Sequence, residues 1–470
     1  MNDSGVLIEQ KSDEKANEFR ELGNVNYKKN EYLNALILYN KAITFACTKK
    51  VRSFGYANRS AVYITLGYYN ECLENIKWAC ENEYPADKCK NLKNRELKCK
   101  ELMLKGRKNV AEDPWNFFKM SYPVNEKIPW IVDRLDLRTT KKYGRGVYAT
   151  KDLKAGDVIS IEEPLITFLY HYGYYKHCAN CFKTNMLNLI PCIQSASMMF
   201  CSTDCMDNFY SKNIEMDLSR HDDIRMLSIV SYPFGGYEEL DDFVYKADLK
   251  DLTKTIFDFD LSNSEDPEYE KNLAMCFLSL SSKKQHVVND DSCSIFKYVS
   301  NKTANHLLSL FPLNAVEDFS SSGRTEININ DNRKISLFRS LINHSCLPNV
   351  FFVTIQNKIV GFVVKPIKAG EQLFRCYFDK NFIFYFKNKM QMFNIHSFKC
   401  SCDECMFNSY QSKLFKVPAL IMNRNNFVKA KELLKEGWRK LNAKQVDVYD
   451  IEKETFLILS TLGYYATFPY

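Results

Sequence analysis

Apolar and small residues recur at helical spacing through the first hundred residues of this 470-residue chain. Between Phe19 and Ala42 a set of small and large residues falls on one face of two successive segments, and a second copy follows 37 positions later, from Tyr56 to Ala79. Small residues let the two helices of a hairpin approach closely, while larger ones fill the groove between them. A basic segment that ends at Gly106 would supply a capping helix. The pattern predicts a stack of helical repeats over residues 13–108.

A different pattern follows between Lys141 and Ile166, where apolar and polar residues alternate between glycines and predict short strands and turns. The stretch Gly144-Arg145-Gly146 within it lets the backbone come close to a ligand. Residues 226–335 and about the last 65 residues show the spacing of amphipathic helices joined by polar loops. The chain is therefore predicted to be an α+β protein with several domains.

Composition narrows the class of protein. Hydrophobic residues make up 46% of the chain and charged residues 26%, which is typical of a globular protein, and the length suggests two to four structural units. The net charge of +7 comes from scattered lysines, so direct nucleic-acid binding is not expected. No stretch has the apolar length of a signal peptide or a membrane span. These features predict an intracellular protein, cytoplasmic or nuclear, without a membrane partner.

Seventeen cysteines in a reducing compartment favour metal sites over disulfides. Cys-x2-Cys and Cys-x3-Cys pairs lie close together and can close tetrahedrally on zinc; they are Cys178, Cys181, Cys201 and Cys205. A second group at Cys400, Cys402 and Cys405 needs a fourth ligand, and Cys346 in the run Asn343-His344-Ser345-Cys346 is a candidate. A Cys-His nucleophile is the alternative for that run, but it would need an activating base and an oxyanion hole that no nearby residue provides.

The first cysteine group resembles a MYND finger, a module that normally holds two zinc ions. Its second site would fall near Cys192, Ser195, His221 and Arg225. Serine and arginine do not replace thiolates, so Cys192 and His221 are interpreted as a possible remnant of a metal site. One zinc ion is expected in the finger and one in the later cluster, which gives two structural ions per chain.

The order Gly-Arg-Gly, finger, Asn-His-Ser-Cys, AGEQLFRCYFD and CSCDEC resembles the SET-and-MYND family of protein-lysine methyltransferases, and the subgroup with tetratricopeptide repeats in particular. The resemblance implies tetratricopeptide-like repeats, a SET β-fold split by the finger and by a helical insertion, a post-SET zinc cluster and short C-terminal helices. The implied boundaries are 13–108 for the repeats, 128–170 for the first part of the SET domain, 178–225 for the finger, 226–335 for the insertion, 336–380 for the SET core, 381–407 for the zinc cluster and 408–470 for the C-terminal helices.

The same resemblance implies S-adenosylmethionine as cofactor and a lysine of a histone or non-histone protein as substrate. The residues that would contact the cofactor are Gly144, Arg145, Gly146, Asn314, Asn343, His344, Tyr377 and Phe398. Tyr377 falls at the position of the catalytic tyrosine, while His396 stands where the family usually has a second tyrosine. Because a histidine lacks the phenolic hydroxyl, a catalytically silent adaptor that binds protein partners through its repeats and finger is the alternative function.

Five polar residues of the repeats could converge on one concave face: Arg20, Asn24, Asn58, Lys93 and Arg95. The set is similar to the carboxylate clamp with which repeat domains grip the acidic C-terminal tails of chaperones. A solvated basic helix face is the alternative interpretation. The sequence therefore predicts a possible peptide-binding face without naming its partner.

Overall fold

The computed structural model describes residues 10–105, 114–169, 173–212, 221–247, 252–280, 294–317, 332–355, 357–377, 400, 425–444, 459 and 462. The chain divides into two compact units. The first contains residues 1–112, 169–220 and 468–470, and the second contains residues 113–168 and 221–467. The cysteine-rich segment thus belongs to the same unit as the N-terminal helices, although it interrupts the chain of the other unit.

Five helices build the N-terminal part of the first unit: α1 (Asp13–Lys28), α2 (Tyr32–Phe45), α3 (Lys49–Leu66), α4 (Tyr69–Glu81) and α5 (Cys89–Leu104). The Ser12 and Thr48 side chains cap α1 and α3 by accepting backbone N–H groups. Gly67 ends α3 in the left-handed conformation, with φ of 82°. The Gly23 Cα packs so tightly under Tyr39 that a Cβ there would lie 2.5 Å from the ring. The predicted helical N-terminal region is confirmed.

The cysteine-rich segment adds a small antiparallel pair, β5 (Ile190–Pro191) with β6 (Met199–Phe200), followed by helix α6 (Thr203–Lys212). It packs on the helices through a buried polar network. The Arg59 guanidinium, which is fully buried, donates to the Leu189 carbonyl at 2.8 Å and to Asn40 Oδ1 at 2.6 Å. The Tyr63 hydroxyl donates to the Met186 carbonyl at 3.0 Å. Side chains of α2 and α3 therefore fix the loop that precedes the β5–β6 pair.

The second unit is built on short sheets. Strand β1 (Leu135–Thr140) pairs antiparallel with β2 (Gly144–Ala149), and β3 (Val158–Glu162) forms an antiparallel sheet with β11 (Lys358–Val363) and β10 (Val350–Ile355). A third sheet has the order β4 (Ile166–Leu169), β8 (Asn332–Ile335), β7 (Ala315–Glu317). Strand β9 (Asn343–His344) pairs parallel with β12 (Phe374–Arg375). Strands from both ends of the unit's sequence thus meet around β9.

The described residues between the strand segments include the helices α7 (His221–Ser231), α8 (Tyr237–Lys246), α9 (Tyr269–Leu278) and α10 (Asn301–Asn314). A single turn, α11 (Leu337–Ser340), leads into β9. The apolar faces of these helices share one core with β1, β2 and β4, through residues such as Leu227, Leu240 and Phe277. In the part of the chain that the structure describes, no helix has both the length and the apolarity to cross a membrane.

The last described helix, α12 (Asn425–Asn442), packs on the turn before β3. The Asn442 amide donates to the Ala155 carbonyl and accepts from the Ala155 N–H, both at 3.0 Å. The Trp438 ring covers Gly156, where φ is +96° and a Cβ would lie 2.6 Å from the indole. Trp438 also stacks on Phe362, with ring centroids 6.0 Å apart. The turn therefore needs glycine for its backbone conformation and for the close approach of the indole.

Candidate cofactor site and metal centres

The Gly-Arg-Gly strand and the Asn-His-Ser-Cys run lie side by side. Asn343 Nδ2 donates to the carbonyl oxygens of Tyr143 at 3.1 Å and Arg145 at 2.8 Å. A Cβ on Gly146 would lie 2.9 Å from Asn343 Nδ2 and 2.1 Å from Gln372 Nε2. Only glycine leaves room for these two amide groups, so the bare backbone of β2 is a structural requirement of this site.

The Arg145 side chain is engaged with the helical segment. Its guanidinium donates to the carbonyl oxygens of Thr253 at 3.2 Å and Ser279 at 3.4 Å. Burial lowers the pKa of Arg145, while nearby Asp258 acts in the opposite direction. Ser279 follows the last turn of α9, where a cation is favourable because the helix dipole is negative at that end. The backbone of Arg145 meets Asn343, whereas its side chain ties α9 to β2.

His344 and Tyr377 are in direct contact. The Tyr377 N–H donates to His344 Nδ1 at 3.0 Å, and the Tyr377 hydroxyl donates to the Ile342 carbonyl at 3.2 Å. The Arg375 guanidinium lies 4.0 Å from the centre of the Tyr377 ring, and burial lowers the pKa of Arg375. These contacts hold the tyrosine ring in one orientation beside β9.

The arrangement suits the polar end of S-adenosylmethionine. Gln372 Nε2, which lies against Gly146, is a buried donor with no hydrogen-bond partner among the described residues, so a polar group of a bound cofactor could accept from it. Three predicted cofactor or catalytic positions are not tested by these contacts. The Asn314 side chain, His396 and Phe398 lie outside the described residues.

The first cysteine group converges in the structure. The Sγ atoms of Cys178, Cys181, Cys201 and Cys205 all lie within 4.8 Å of one another, and those of Cys181 and Cys201 are 3.6 Å apart. Zn–S bonds of about 2.3 Å in a tetrahedron place sulfur atoms about 3.8 Å apart. Burial and the neighbouring Cys178 thiol raise the pKa of Cys201 to about 12. A divalent cation would offset this repulsion between thiolates, so the donor set fits zinc.

Cys192, one of the two residues interpreted as a remnant of a metal site, lies beside an aromatic residue. Cys192 Sγ lies 2.8 Å from the Tyr210 hydroxyl, and Cys192 is buried. The rings of Phe200, Phe209 and Tyr210 pack together with centroid distances of 5.4 to 6.3 Å. The His221 side chain lies outside the described residues. The Cys192 thiol thus bonds the hydroxyl of a tyrosine that belongs to an aromatic cluster.

The second predicted metal group is partly described. His344, Cys346 and Cys400 bring their ligand atoms within 4.8 Å of one another. His344 Nε2 lies 3.3 Å from Cys346 Sγ. Cys402 and Cys405 lie outside the described residues. The structure therefore brings Cys346 beside Cys400, which is 54 positions away in the chain, and leaves the other two thiols as predictions.

The predicted peptide-binding face includes an acidic residue, Glu21, that contacts two of its predicted polar residues. Arg20 pairs with Glu21 at 2.6 Å, and Asn24 Nδ2 donates to the same carboxylate at 3.0 Å. Asn58 Nδ2 donates to Asn24 Oδ1 at 2.7 Å. Arg95 donates to the Ala57 carbonyl and the Ser60 hydroxyl, and Lys93 is exposed. Arg20, Asn24 and Asn58 are thus brought together around Glu21.

Several buried charged residues escaped sequence reasoning, among them Arg59 and Glu162. Arg59 occupies an interior phase of α3, and Glu162 ends β3 with 4% of its surface exposed. A charged residue at a position that helical periodicity assigns to the interior could have drawn attention to Arg59. Alternation along β3 gave no comparable sign for Glu162, because its neighbours Ser160 and Glu163 are polar as well.

The residues from 144 to 378, half of the chain, match the model of the SET domain. Protein-lysine N-methyltransferase SMYD4 of Danio rerio is 25% identical over 219 residues, which cover 43% of this chain and 29% of that protein. A SET domain-containing protein of Acanthamoeba polyphaga mimivirus is 28% identical over 163 residues, 33% of this chain and 55% of that protein. SMYD4 of Pongo abelii is 20% identical over 546 aligned positions, 84% of this chain and 67% of that protein.

The matched stretch spans less than two thirds of the first two relatives, so these matches speak for a shared domain and not for the whole length of those proteins. The SET match begins at Gly144 and ends just after Tyr377, and it encloses the contacts among β2, β9 and β12 described above. The chain belongs to the SET-domain family, within its SMYD group.

Proposed function

We propose that this protein is an S-adenosylmethionine-dependent protein-lysine N-methyltransferase that acts on histone or non-histone proteins. The observation that carries the proposal is the convergence of the Gly-Arg-Gly strand, Asn343 and Tyr377, three segments that are far apart in sequence. The names of the SMYD4 relatives support the same activity.

The residues of the chain have separate tasks in this proposal. The bare backbone at Gly144 and Gly146, with Asn343 and His344, would hold the methionine and ribose end of the cofactor. The bound cofactor supplies an activated methyl group. Tyr377, fixed through His344 and the Ile342 carbonyl, would orient the target amine in line with that methyl group, and positioning of this kind dominates such a transfer. Methyl transfer of this kind needs no metal at the reacting centre, so the proposed zinc ions are structural.

The first test is calorimetric titration of the zinc-loaded protein with S-adenosylmethionine. Asn343→Ala should abolish micromolar binding. Asn442→Ala is the matched control, because the Asn442 amide also makes two hydrogen bonds to backbone in the same unit, both with Ala155, which is not a predicted cofactor residue. Well-folded protein that binds no cofactor would exclude the methyltransferase and favour the adaptor.

A second test separates binding from turnover. Transfer of radiolabelled methyl groups to a protein array, with Tyr377→Phe as the comparison, should label lysines only with the unchanged protein. Cofactor binding without any transfer would support a silent adaptor. The chemical reason would be His396, which stands where the family usually has a second tyrosine and lacks the phenolic hydroxyl. This outcome differs from loss of binding, so the two alternatives are distinguished.

The finer features of the proposal concern zinc and partners. We propose a MYND-type finger with one zinc ion on its four cysteines, a second ion on Cys346 and the later cysteines, and tetratricopeptide-type repeats that hold a peptide near Arg20 and Arg95. Because Glu21 already neutralises Arg20, the acidic tail of a chaperone would have to displace this carboxylate. Elemental analysis should give two zinc ions per chain. A cytoplasmic or nuclear location is part of the same proposal.

A further inference from the structure

One buried carboxylate joins the first strands of the second unit to the segment that carries Asn343. Glu162 ends β3 and accepts three hydrogen bonds at the start of α11: from the Ser336 hydroxyl, from the Leu337 N–H at 2.7 Å and from the Phe338 N–H at 3.2 Å. Backbone N–H groups at the start of a helical turn have no partner within the turn, so the carboxylate satisfies donors that would otherwise be buried without one.

The other end of the same turn is held by the strand that leads to Tyr377. Arg375 Nε donates to the Arg339 carbonyl at 3.1 Å, and the Tyr377 hydroxyl donates to the Ile342 carbonyl at 3.2 Å. Only Leu341 and Ile342 separate α11 from Asn343. A displacement of α11 at the end that Glu162 holds is therefore expected to move Asn343 and His344 as well.

Charged groups around Glu162 are few. Arg339, on α11, favours the carboxylate form, but burial dominates and raises the pKa of Glu162 to about 7. Lys334 is buried in the adjoining strand β8, and Lys358 on β11 pairs with the neighbouring Glu163 at 3.2 Å. Both protonation states of Glu162 are therefore populated near neutral pH.

The two states differ in what they can accept. A carboxylate can accept all three hydrogen bonds, whereas a protonated carboxyl turns one oxygen into a donor and loses acceptor strength toward the α11 N–H groups. Ionisation of Glu162 strengthens its hydrogen bonds to α11 but lowers its contribution to the free energy of unfolding. Because the native state holds a proton that the unfolded chain releases at its ordinary value of 4.5, the free energy of unfolding contributed by Glu162 falls as pH rises from about 4.5 to about 7.

We propose that Glu162 is a positioning residue of the cofactor site: its carboxylate holds α11, and through α11 it holds Asn343 and His344, so that protonation of Glu162 weakens cofactor binding below neutral pH. This inference rests on the proposed function. It assigns to β3 a role in cofactor binding, although no residue of β3 was predicted to touch the cofactor.

The test is calorimetric titration of the zinc-loaded full chain with S-adenosylmethionine between pH 6 and pH 8.5. If only the carboxylate form binds well, the apparent affinity follows the ionised fraction, which predicts about tenfold weaker binding at pH 6 than at pH 8. Glu162→Gln should bind weakly with little dependence on pH. Glu163→Gln, the exposed neighbour, should keep the wild-type profile, and this control removes the general effect of deleting a carboxylate at the end of β3.

All other titratable groups are common to wild type and Glu162→Gln, so the difference between the two pH profiles reports Glu162. Should Glu162→Gln fail to fold, Glu162→Asp replaces it and should keep a pH-dependent but weaker affinity. Hydrogen exchange of the Leu337 and Phe338 amides, corrected for its intrinsic pH dependence, should show protection lost toward pH 6.

Each result decides between the claims. Equal pH dependence in wild type and Glu162→Gln, or unchanged protection of the α11 amides from pH 8 to pH 6, would overturn the role of Glu162 while leaving the methyltransferase proposal intact. Absence of cofactor binding by folded wild-type protein at every pH would overturn the proposed function, and the inference would fall with it.

Discussion

Replacement of Arg59 by methionine should uncouple the cysteine-rich segment from the helices. Three hydrogen bonds of 2.8 Å or less would be lost, to Asn75 Oδ1 at 2.7 Å, Asn40 Oδ1 at 2.6 Å and the Leu189 carbonyl at 2.8 Å. A fourth, at 3.5 Å, goes to the Leu187 carbonyl, which keeps the Asn40 amide as a donor. A buried acceptor left without a donor costs about 1–3 kcal/mol, so three of them cost about 3–9 kcal/mol. Removing the guanidinium also removes a desolvation cost of several kcal/mol, since the charge is buried. Arg59 Nη2 has no hydrogen-bond partner among the described residues, so its removal breaks no further hydrogen bond. The net loss should be about 3 kcal/mol.

Arg59→Lys separates geometry from charge. The guanidinium also lies 5.3 and 5.6 Å from the ring centres of Tyr56 and Trp78, so a charge effect alone would survive in lysine. One ammonium group cannot reach acceptors on α2, α4 and the loop before β5 at once, so a loss similar to that of methionine is expected.

Urea unfolding followed by zinc release to a chromogenic chelator reports the first unit, because the four-cysteine group lies in it. Lys100→Met is the control, since its exposed pair with Glu96 contributes about 0.3–0.5 kcal/mol. A free energy of unfolding for Arg59→Met within about 0.5 kcal/mol of wild type would refute the reasoning. A wild-type free energy of unfolding for Arg59→Lys would refute it as well.

Three further predictions concern other contacts. Gly146→Ala should abolish cofactor binding in calorimetry and destabilise the fold by about 1–3 kcal/mol, because its Cβ would overlap the Gln372 side chain. Gly144→Ala meets only the strain of a φ of +66° and should destabilise the fold less, as measured by thermal unfolding. Asn442→Ala should cost about 2 kcal/mol in urea unfolding, through two lost backbone hydrogen bonds, and an unchanged midpoint would contradict this. Cys192→Ala should leave the zinc content unchanged, and loss of an ion would show that Cys192 is a ligand after all.

The sequence predicts features that depend on local spacing. Helical periodicity gave the N-terminal helices, and knuckle spacing gave the group from Cys178 to Cys205, because both are properties of a few neighbouring residues. Local spacing did not predict that Arg59 would bond Leu189 or that Glu162 would bond Leu337, which lie 130 and 175 positions away in the chain. A buried charge is stable only when distant groups supply its hydrogen bonds, and no local pattern states where those groups will be.

Long-range contacts of this kind define the candidate site as a junction. Asn343 binds the Arg145 carbonyl across 198 positions, and Glu162 binds α11 across 175. The helical segment inserted between these strands joins the same junction, because the Arg145 guanidinium donates to the Ser279 carbonyl after α9. A displacement of α9 therefore acts on Arg145, whose carbonyl positions the Asn343 amide. Changes in α9 should consequently alter cofactor affinity before they alter the orientation of Tyr377.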